Sequence, residues 1–412
     1  VRITYLYQYF KTRNMSGGTR TYEMGRRLVD MGHDVTVITA DSFADGHRGW
    51  RETNESGIRV LWASVPYSNS LSVPRRLAAF SRFAYLAGRK ASTLTTDVIL
   101  ASSTPLTIAL PGVWAKRRLD VPMVFEVRDL WPELPIAVGA LRNPLGKVAA
   151  RWLEAFAYRN SDRVIALSPG MKAGIAEKGV PQDRIKVIPN SCDLDLFDVP
   201  RHRGLEWRHR HPQFGDRPIV LYGGTIGRIN GVGWLAQVAA ISSDIRPEVC
   251  FVVIGSGGQR DQVQQIASEL GILGRNFFLL PAMPKTEMAD ALSAATICIS
   301  TFIDLPEMWN NSANKFFDGL AAGRPVALNY SGWQADLIEE QGAGLVLPVS
   351  DPTLAAKMII EKVQDQRWLI AAGGAAQRLA RERFDRRRLA EQLESLLLQV
   401  AVKAESISGL GL

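Results

Sequence analysis

At 412 residues the chain has room for two or three domains of ordinary size, which excludes a peptide-sized scaffold held together by disulfides alone. Apolar residues make up 46% and charged residues 22%, with Gly and Pro near their usual frequencies, so the chain is globular and not disordered or fibrous. The net charge of +8 is uneven: residues 1–200 carry 27 Lys and Arg against 19 Asp and Glu, while the remainder is balanced at 22 against 22.

From the first residue onward, short β-branched runs alternate with longer helical stretches. This is the pattern of α/β domains, each a doubly wound parallel sheet with helices on both faces. Strands are expected at 3–7, 35–39, 59–62, 98–101, 123–126, 163–166 and 186–188. A second set is expected at 219–222, 249–254, 277–279, 297–300, 325–328 and 344–347. Pro189 to Pro218 is rich in Pro, His, Arg and Asp and lacks periodicity, so it reads as a linker. The expected division is a first domain over 1–200, a second over 201–374, and a last helix at about 375–402 crossing back to the first. Ligands of such sheets bind beyond the carboxyl ends of the strands.

No apolar run approaches the roughly 18 residues of a membrane span, and the opening VRITYLYQYF lacks a signal-peptide layout. The three cysteines, Cys192, Cys250 and Cys298, form no CxxC pair. Both observations predict a chain of the reducing cytoplasm, with Cys250 and Cys298 as strand-core residues.

Between Glu55 and Asp97 there is no acid, yet Arg59, Arg75, Arg76, Arg82, Arg89 and Lys90 lie there. Read as a helix, Pro74 to Lys90 puts Leu77, Phe80, Ala84 and Ala87 on one face and leaves Phe83 and Leu86 among the arginines. That mixture suits a lipid interface; a core-packed helix with a solvated basic side is the alternative. Nucleic acid is not expected as a partner, because no recognition motif accompanies the charge.

Several glycine turns follow strands. Gly17 and Gly18 open a helix at Arg20, and two glycines there let a backbone approach a ligand while the helix start offers amides to an anion. Gly255 and Gly257 repeat this in the second half, and Gly223 to Arg228 delivers a cation to a strand end. Each is equally readable as a tight turn. The most informative stretch runs from Ser312 to Val326. Ser312 is expected to cap a helix whose first amides and Lys315 face an anion. Asp318 shares a face with Asn314 and Lys315, placing a carboxylate where vicinal ribose hydroxyls would lie; a simple Lys315–Asp318 pair is the competing reading. Asp193-Leu194-Asp195 and His209-Arg210-His211 are poor metal signals, and no metal site is expected. The sequence has no GxSxG, HExxH, P-loop or kinase set.

Taken together, Gln8-Tyr9-Phe10 before Gly17-Gly18, Gly32-His33-Asp34, Phe125-Glu126-Val127-Arg128-Asp129-Leu130-Trp131-Pro132-Glu133, Leu167-Ser168-Pro169-Gly170, Ile188-Pro189-Asn190, Gly223-Gly224-Thr225-Ile226-Gly227 and Asn314-Lys315-Phe316-Phe317-Asp318 form a pattern. With Ala322-Gly323-Arg324-Pro325 it resembles, nearly end to end, the retaining glycosyltransferases of family 4, of GT-B fold, and among them the bacterial fucosamine-transferase-like members of O-antigen and capsule synthesis. The resemblance implies a UDP-sugar bound mainly by the second domain and an acceptor held mainly by the first. It implies that Gly255, Gly257, Ala282 and Met283 flank the base, that Asp318 takes the ribose, and that Arg228, Lys315 and the helix start at Ser312 and Asn314 take the diphosphate. Gly17 and Gly18 would face the phosphate or sugar. The family's paired glutamates fall on Asn310 and Asp318, its usual histidine on Arg128, and Glu307 is the nearest substitute for the lost glutamate. Glu126 and Asp129 are the carboxylates expected to orient the acceptor, with no metal cofactor. The implied acceptor is a polyprenyl-diphosphate-linked saccharide, and Arg75, Arg76, Arg82, Phe83 and Leu86 would hold the enzyme peripherally on the inner face of the cell membrane. The rival readings are a UDP-sugar epimerase of similar fold, distinguished by product analysis without acceptor, and a non-catalytic nucleotide-sugar-binding protein.

Overall fold

The computed structural model describes residues 1–41, 49–67 and 71–408, with side chains as far as 402. It divides into two compact units. The first comprises Val1–Thr12, Thr19–Pro189 and Arg387–Leu412; the second comprises Arg13–Gly18 and Asn190–Arg386.

In the first unit the strands are β1 (Arg2–Leu6), β2 (Asp34–Asp41), β3 (Trp50–Glu55), β4 (Ile58–Ser64), β5 (Val98–Ser102), β6 (Met123–Val127), β7 (Arg163–Ala166) and β8 (Ile185–Val187). Its helices are α1 (Arg20–Asp30), α2 (Val73–Ala91), α3 (Ala109–Leu119), α4 (Glu133–Ala137), α5 (Pro144–Asn160) and α6 (Pro169–Glu177). The sheet order is β3-β4-β2-β1-β5-β6-β7-β8, parallel except for β3. Strands β5 (VILAS) and β6 (MVFEV) are buried at every residue, which is why they show no regular apolar–polar alternation. Strand β3, WRETNE, is polar and largely exposed, so no apolar period marks it in the sequence. It forms because Ser56 and Gly57 both take positive φ (55° and 84°), the two-residue hairpin geometry that returns the chain as β4.

The second unit contains β9 (Ile219–Gly223), β10 (Cys250–Ile254), β11 (Phe277–Leu280), β12 (Ile297–Ser300), β13 (Val326–Leu328) and β14 (Gly344–Val346). Its helices are α7 (Leu194–Phe197), α8 (Arg201–Arg210), α9 (Val232–Ile245), α10 (Arg260–Glu269), α11 (Lys285–Ala294), α12 (Asn314–Ala321), α13 (Trp333–Gln341), α14 (Pro352–Gln364) and α15 (Gln366–Glu382). The strands run parallel in the order β11-β10-β9-β12-β13-β14. The core is built on Phe251, Val253, Leu235 and Ile359, all fully buried, and the thiols of Cys250 and Cys298 lie buried and free on β10 and β12.

Two sequence expectations change. The stretch expected as a linker folds: α8 packs on α11, with Trp207 buried and its ring stacked on His211 (4.1 Å) and Phe214 (5.4 Å). Its few apolar residues are aromatic and irregularly spaced, so helical periodicity does not reveal them. The single last helix is two, α15 and α16 (Arg386–Ser408), broken at Arg383–Asp385. The break is fixed by backbone bonds from Cys192 N to Phe384 O and from Arg386 N to Cys192 O, and by buried Arg386, which grips Asp193 through two bonds of 2.8 and 2.9 Å.

Candidate active site

The order of the second sheet reverses at β9, whose neighbours are β10 on one side and β12 on the other. That reversal splits the loops after these strands and opens a crevice at their carboxyl ends. A cavity of about 330 Å³ lies there. Gly223, Gly224 and Thr225 line it after β9, Gly255 and Ser256 after β10, Ala282 and Met283 after β11, and Phe302 after β12. Ala313, Asn314, Lys315 and Asp318 come from the start of α12, Lys285 and Met288 from α11, and Ser16, Gly17 and Gly18 from the segment that belongs to this unit.

The loops after β9 and β10 meet backbone to backbone. A Cβ on Gly255 would sit 1.9 Å from the Gly224 carbonyl oxygen, and one on Gly257 would sit 2.4 Å from that of Ile226, so these glycines are required by chain packing whatever the ligand. Gly255 also lines the cavity, whereas Gly257 does not.

Three charges face this space. The Lys315 ammonium rests on the faces of Phe302 (4.5 Å) and Tyr222 (5.0 Å), with no carboxylate partner among the described residues. Burial pushes it down to about 7, so a proton is held loosely until an anion arrives. The Asp318 carboxylate, buried on α12, accepts from Lys285 Nζ, and burial raises its pKa against the pull of that ammonium. The competing Lys315–Asp318 pair is therefore not formed. Lys285, whose side chain also lies 5.1 Å over Phe197, is the site residue that sequence reasoning missed. Its only signal was its place just after Pro281-Ala282-Met283-Pro284, because its partner lies 33 residues further on.

Other expected residues fall elsewhere. Arg228 is exposed at the start of a short turn and lines a separate depression with Trp234 and Asp304. Ser312 does not cap α12; Ala313 occupies that position, while buried Ser312 binds Asn190 through its hydroxyl (3.0 Å) and its carbonyl (2.5 Å). Glu307 is exposed and Asn310 half-buried, and neither lines the cavity. Asp193 is taken by Arg386 and Asp195 by Arg13 (2.7 Å), so the DxD carboxylates already serve ion pairs.

In the first unit the corresponding reversal falls at β1, between β2 and β5. Glu126, on β6, is fully buried and bound by Arg20 (2.8 and 2.9 Å) and the Ser102 hydroxyl (2.5 Å); Arg20 in turn donates to the carbonyls of Ile188 and Pro189. This network, with Arg20 opposite, holds the Glu126 carboxyl below its ordinary range despite burial. Glu126 thus ties α1 and the β8 end to the sheet and does not face an acceptor, contrary to expectation. Asp129 is half-buried beyond the end of β6, raised by burial and pulled back by neighbouring Arg128, whose guanidinium lies 4.7 Å over the Tyr7 ring.

On the first unit's helices, Phe83 is buried within the unit and not among exposed arginines, and Leu77 is exposed, not core. Arg75 and Arg82 are exposed, while Arg76 and Leu86 are half-buried.

Residues 17–191 match the model of the family described as Glycosyl transferase 4-like domain, and residues 217–365 match that of Glycosyl transferases group 1. The chain belongs to the GT-B glycosyltransferases. Among the relatives of this glycosyltransferase is WcaI of Escherichia coli K12, a glycosyl transferase assigned to colanic acid biosynthesis. It is 25% identical over 295 residues, or 65% of this chain and 70% of that one. Among solved structures, sucrose-phosphate synthase of Thermosynechococcus elongatus superposes with a TM-score of 0.80 at 18% identity, covering 98% and 99% of the two chains. Anabaena HepE, solved with UDP and glucose, superposes with a TM-score of 0.73 at 19% identity over 96% and 98%. At these identities the likeness to the solved structures establishes the fold.

Proposed function

We propose that this glycosyltransferase moves an N-acetylated amino sugar, of the N-acetylfucosamine kind, from a UDP-sugar to a lipid-linked saccharide, with retention, in surface polysaccharide synthesis. The observation that carries the donor assignment is the Lys315 ammonium, set on two aromatic faces with no carboxylate partner among the described residues, in one cavity with Asp318 and glycine-bounded backbone. The UDP of HepE and the colanic acid assignment of WcaI support the donor and the pathway class.

In this reading Asp318, held by Lys285, accepts from the two ribose hydroxyls, and Ala282 and Met283 border the base. The departing diphosphate lies against Lys315 and the first turn of α12. The C1–oxygen bond to the diphosphate breaks, an acceptor oxygen bonds to C1 from the same face, and the departing phosphate oxygen takes the acceptor proton. Lys315 and the helix start offset the charge that develops, so the chemistry asks for no metal ligand set. Asp129, which has no ion pair among the described residues and lies beyond the end of β6, orients the acceptor.

A thermal-shift panel of UDP, GDP, dTDP and ADP tests the donor assignment, because preferential binding raises apparent stability. UDP is expected to raise the melting temperature more than the other nucleotides, and Asp318→Ala is expected to abolish the shift. A GDP-selective shift, or one unchanged in the variant, would contradict it.

A further inference from the structure

The first unit carries a surface unlike the rest of the molecule. Helices α2 and α3 pack together, as do α3 and α5, and these three helices hold eleven Lys and Arg against one carboxylate, Glu154, which is buried. Burial and neighbouring Glu133 push Glu154 up to about 7, so even that negative charge is only partly present at neutral pH. Arg75, Arg82, Arg89, Arg117 and Arg118 are exposed, and none is paired with a carboxylate among the described residues.

The same helices hold eight of the seventeen large apolar side chains that are exposed among the described residues. On α2 these are Val73, Leu77 and Tyr85, on α3 Leu110 and Trp114, and on α5 Leu145, Val148 and Trp152. They are joined through ring contacts. Arg89 lies 5.9 Å over Tyr85, whose ring is 5.9 Å from Trp114; Trp114 walls a groove of about 440 Å³ with Leu110, Arg117, Arg118 and Phe156; and Phe156 stacks on Trp152 at 5.4 Å. Leu145, Val148 and Trp152 stand three and four residues apart, one stripe along α5. Scattered exposed apolar residues need no explanation, whereas a joined patch of this kind marks an interaction surface. Nucleic acid would satisfy the arginines yet leave the aliphatic stripe in water, and an acidic protein would have to match charge and apolar contour along three helices. A bilayer, with an anionic face over a hydrocarbon interior, satisfies both without such a match.

We infer that the outer face of α2, α3 and α5 docks on the surface of an anionic bilayer, with Leu145, Val148, Trp152 and Trp114 at acyl-chain depth and the five arginines among headgroups. This deepens the lipid-linked acceptor reading but needs neither donor nor acceptor, so its failure would leave that reading standing. It also relocates the surface expected from sequence: Phe83 serves the core of the unit, and the lipid contacts come from α3 and α5.

Co-sedimentation of the full chain with vesicles of phosphatidylglycerol or of phosphatidylcholine, without nucleotide, tests it. The protein is expected to pellet with the anionic vesicles, less so at high salt, and to stay in solution with the zwitterionic ones. A quadruple variant, Arg82→Glu, Arg89→Glu, Arg117→Glu and Arg118→Glu, is expected to weaken binding by more than about tenfold. A second variant, Leu145→Ser, Val148→Ser and Trp152→Ser, is expected to weaken it while keeping the parent's melting temperature and UDP response. Brominated lipid is expected to quench tryptophan fluorescence in the parent. Vesicle binding equal in parent and charge-reversed variant, a parent that does not pellet, or displacement of the parent from vesicles by stoichiometric RNA would each overturn the proposal.

Discussion

Lys315 and Asp318 show how one turn of helix supplies two chemistries once their environments differ. Both side chains are sheltered from water, but Asp318 meets an ammonium and Lys315 meets aromatic rings. With its pKa near 7 in the free protein, Lys315 is raised when a diphosphate sits beside it. Above pH 7 binding must then take up a proton, so affinity for UDP falls as pH rises, by up to about tenfold per unit. Titration calorimetry at pH 8 in buffers of different ionisation enthalpy should read up to one proton taken up per UDP, and none in Lys315→Met. Both residues are legible in the sequence because their spacing on α12 fixes their common side. Lys285 is not, since its pairing depends on how α11 is placed against α12. Glu126 illustrates the converse: its position at a strand end is legible, but its burial under Arg20 depends on α1, a hundred residues away.

Among the elements, apolar runs reveal the buried strands directly, whereas β3 and α8 are held by a turn and by aromatic stacking that leave no period behind. The buried side of α2 is hidden from the sequence for the same reason. A helical wheel gives relative angles, but which side is core is set by α3, whose Trp114 covers Gly88. The crossed loops after β9 and β10 offer a paired test of packing. Gly255→Ala must displace the Gly224 carbonyl and is expected to cost about 3 kcal/mol, with loss of the cavity's shape. Gly258→Ala meets nothing within 4 Å and is expected to change stability by less than about 0.5 kcal/mol. Denaturant unfolding of the two variants distinguishes a backbone constraint from a generic intolerance of the loop.

For the whole molecule, two doubly wound sheets each reverse order at their first strand, which is why the cavity of the second unit opens at the carboxyl ends of β9, β10, β11 and β12. That architecture, the match to glycosyltransferase families and the cavity at the second sheet's reversal belong together. Crystals of the protein soaked with UDP would read out directly whether this cavity holds the donor nucleotide. Density is expected with the ribose on Asp318, the diphosphate within hydrogen-bonding distance of Lys315 and the base beside Ala282 and Met283. UDP bound in the depression of Arg228 and Trp234, or with its diphosphate remote from Lys315, would contradict it.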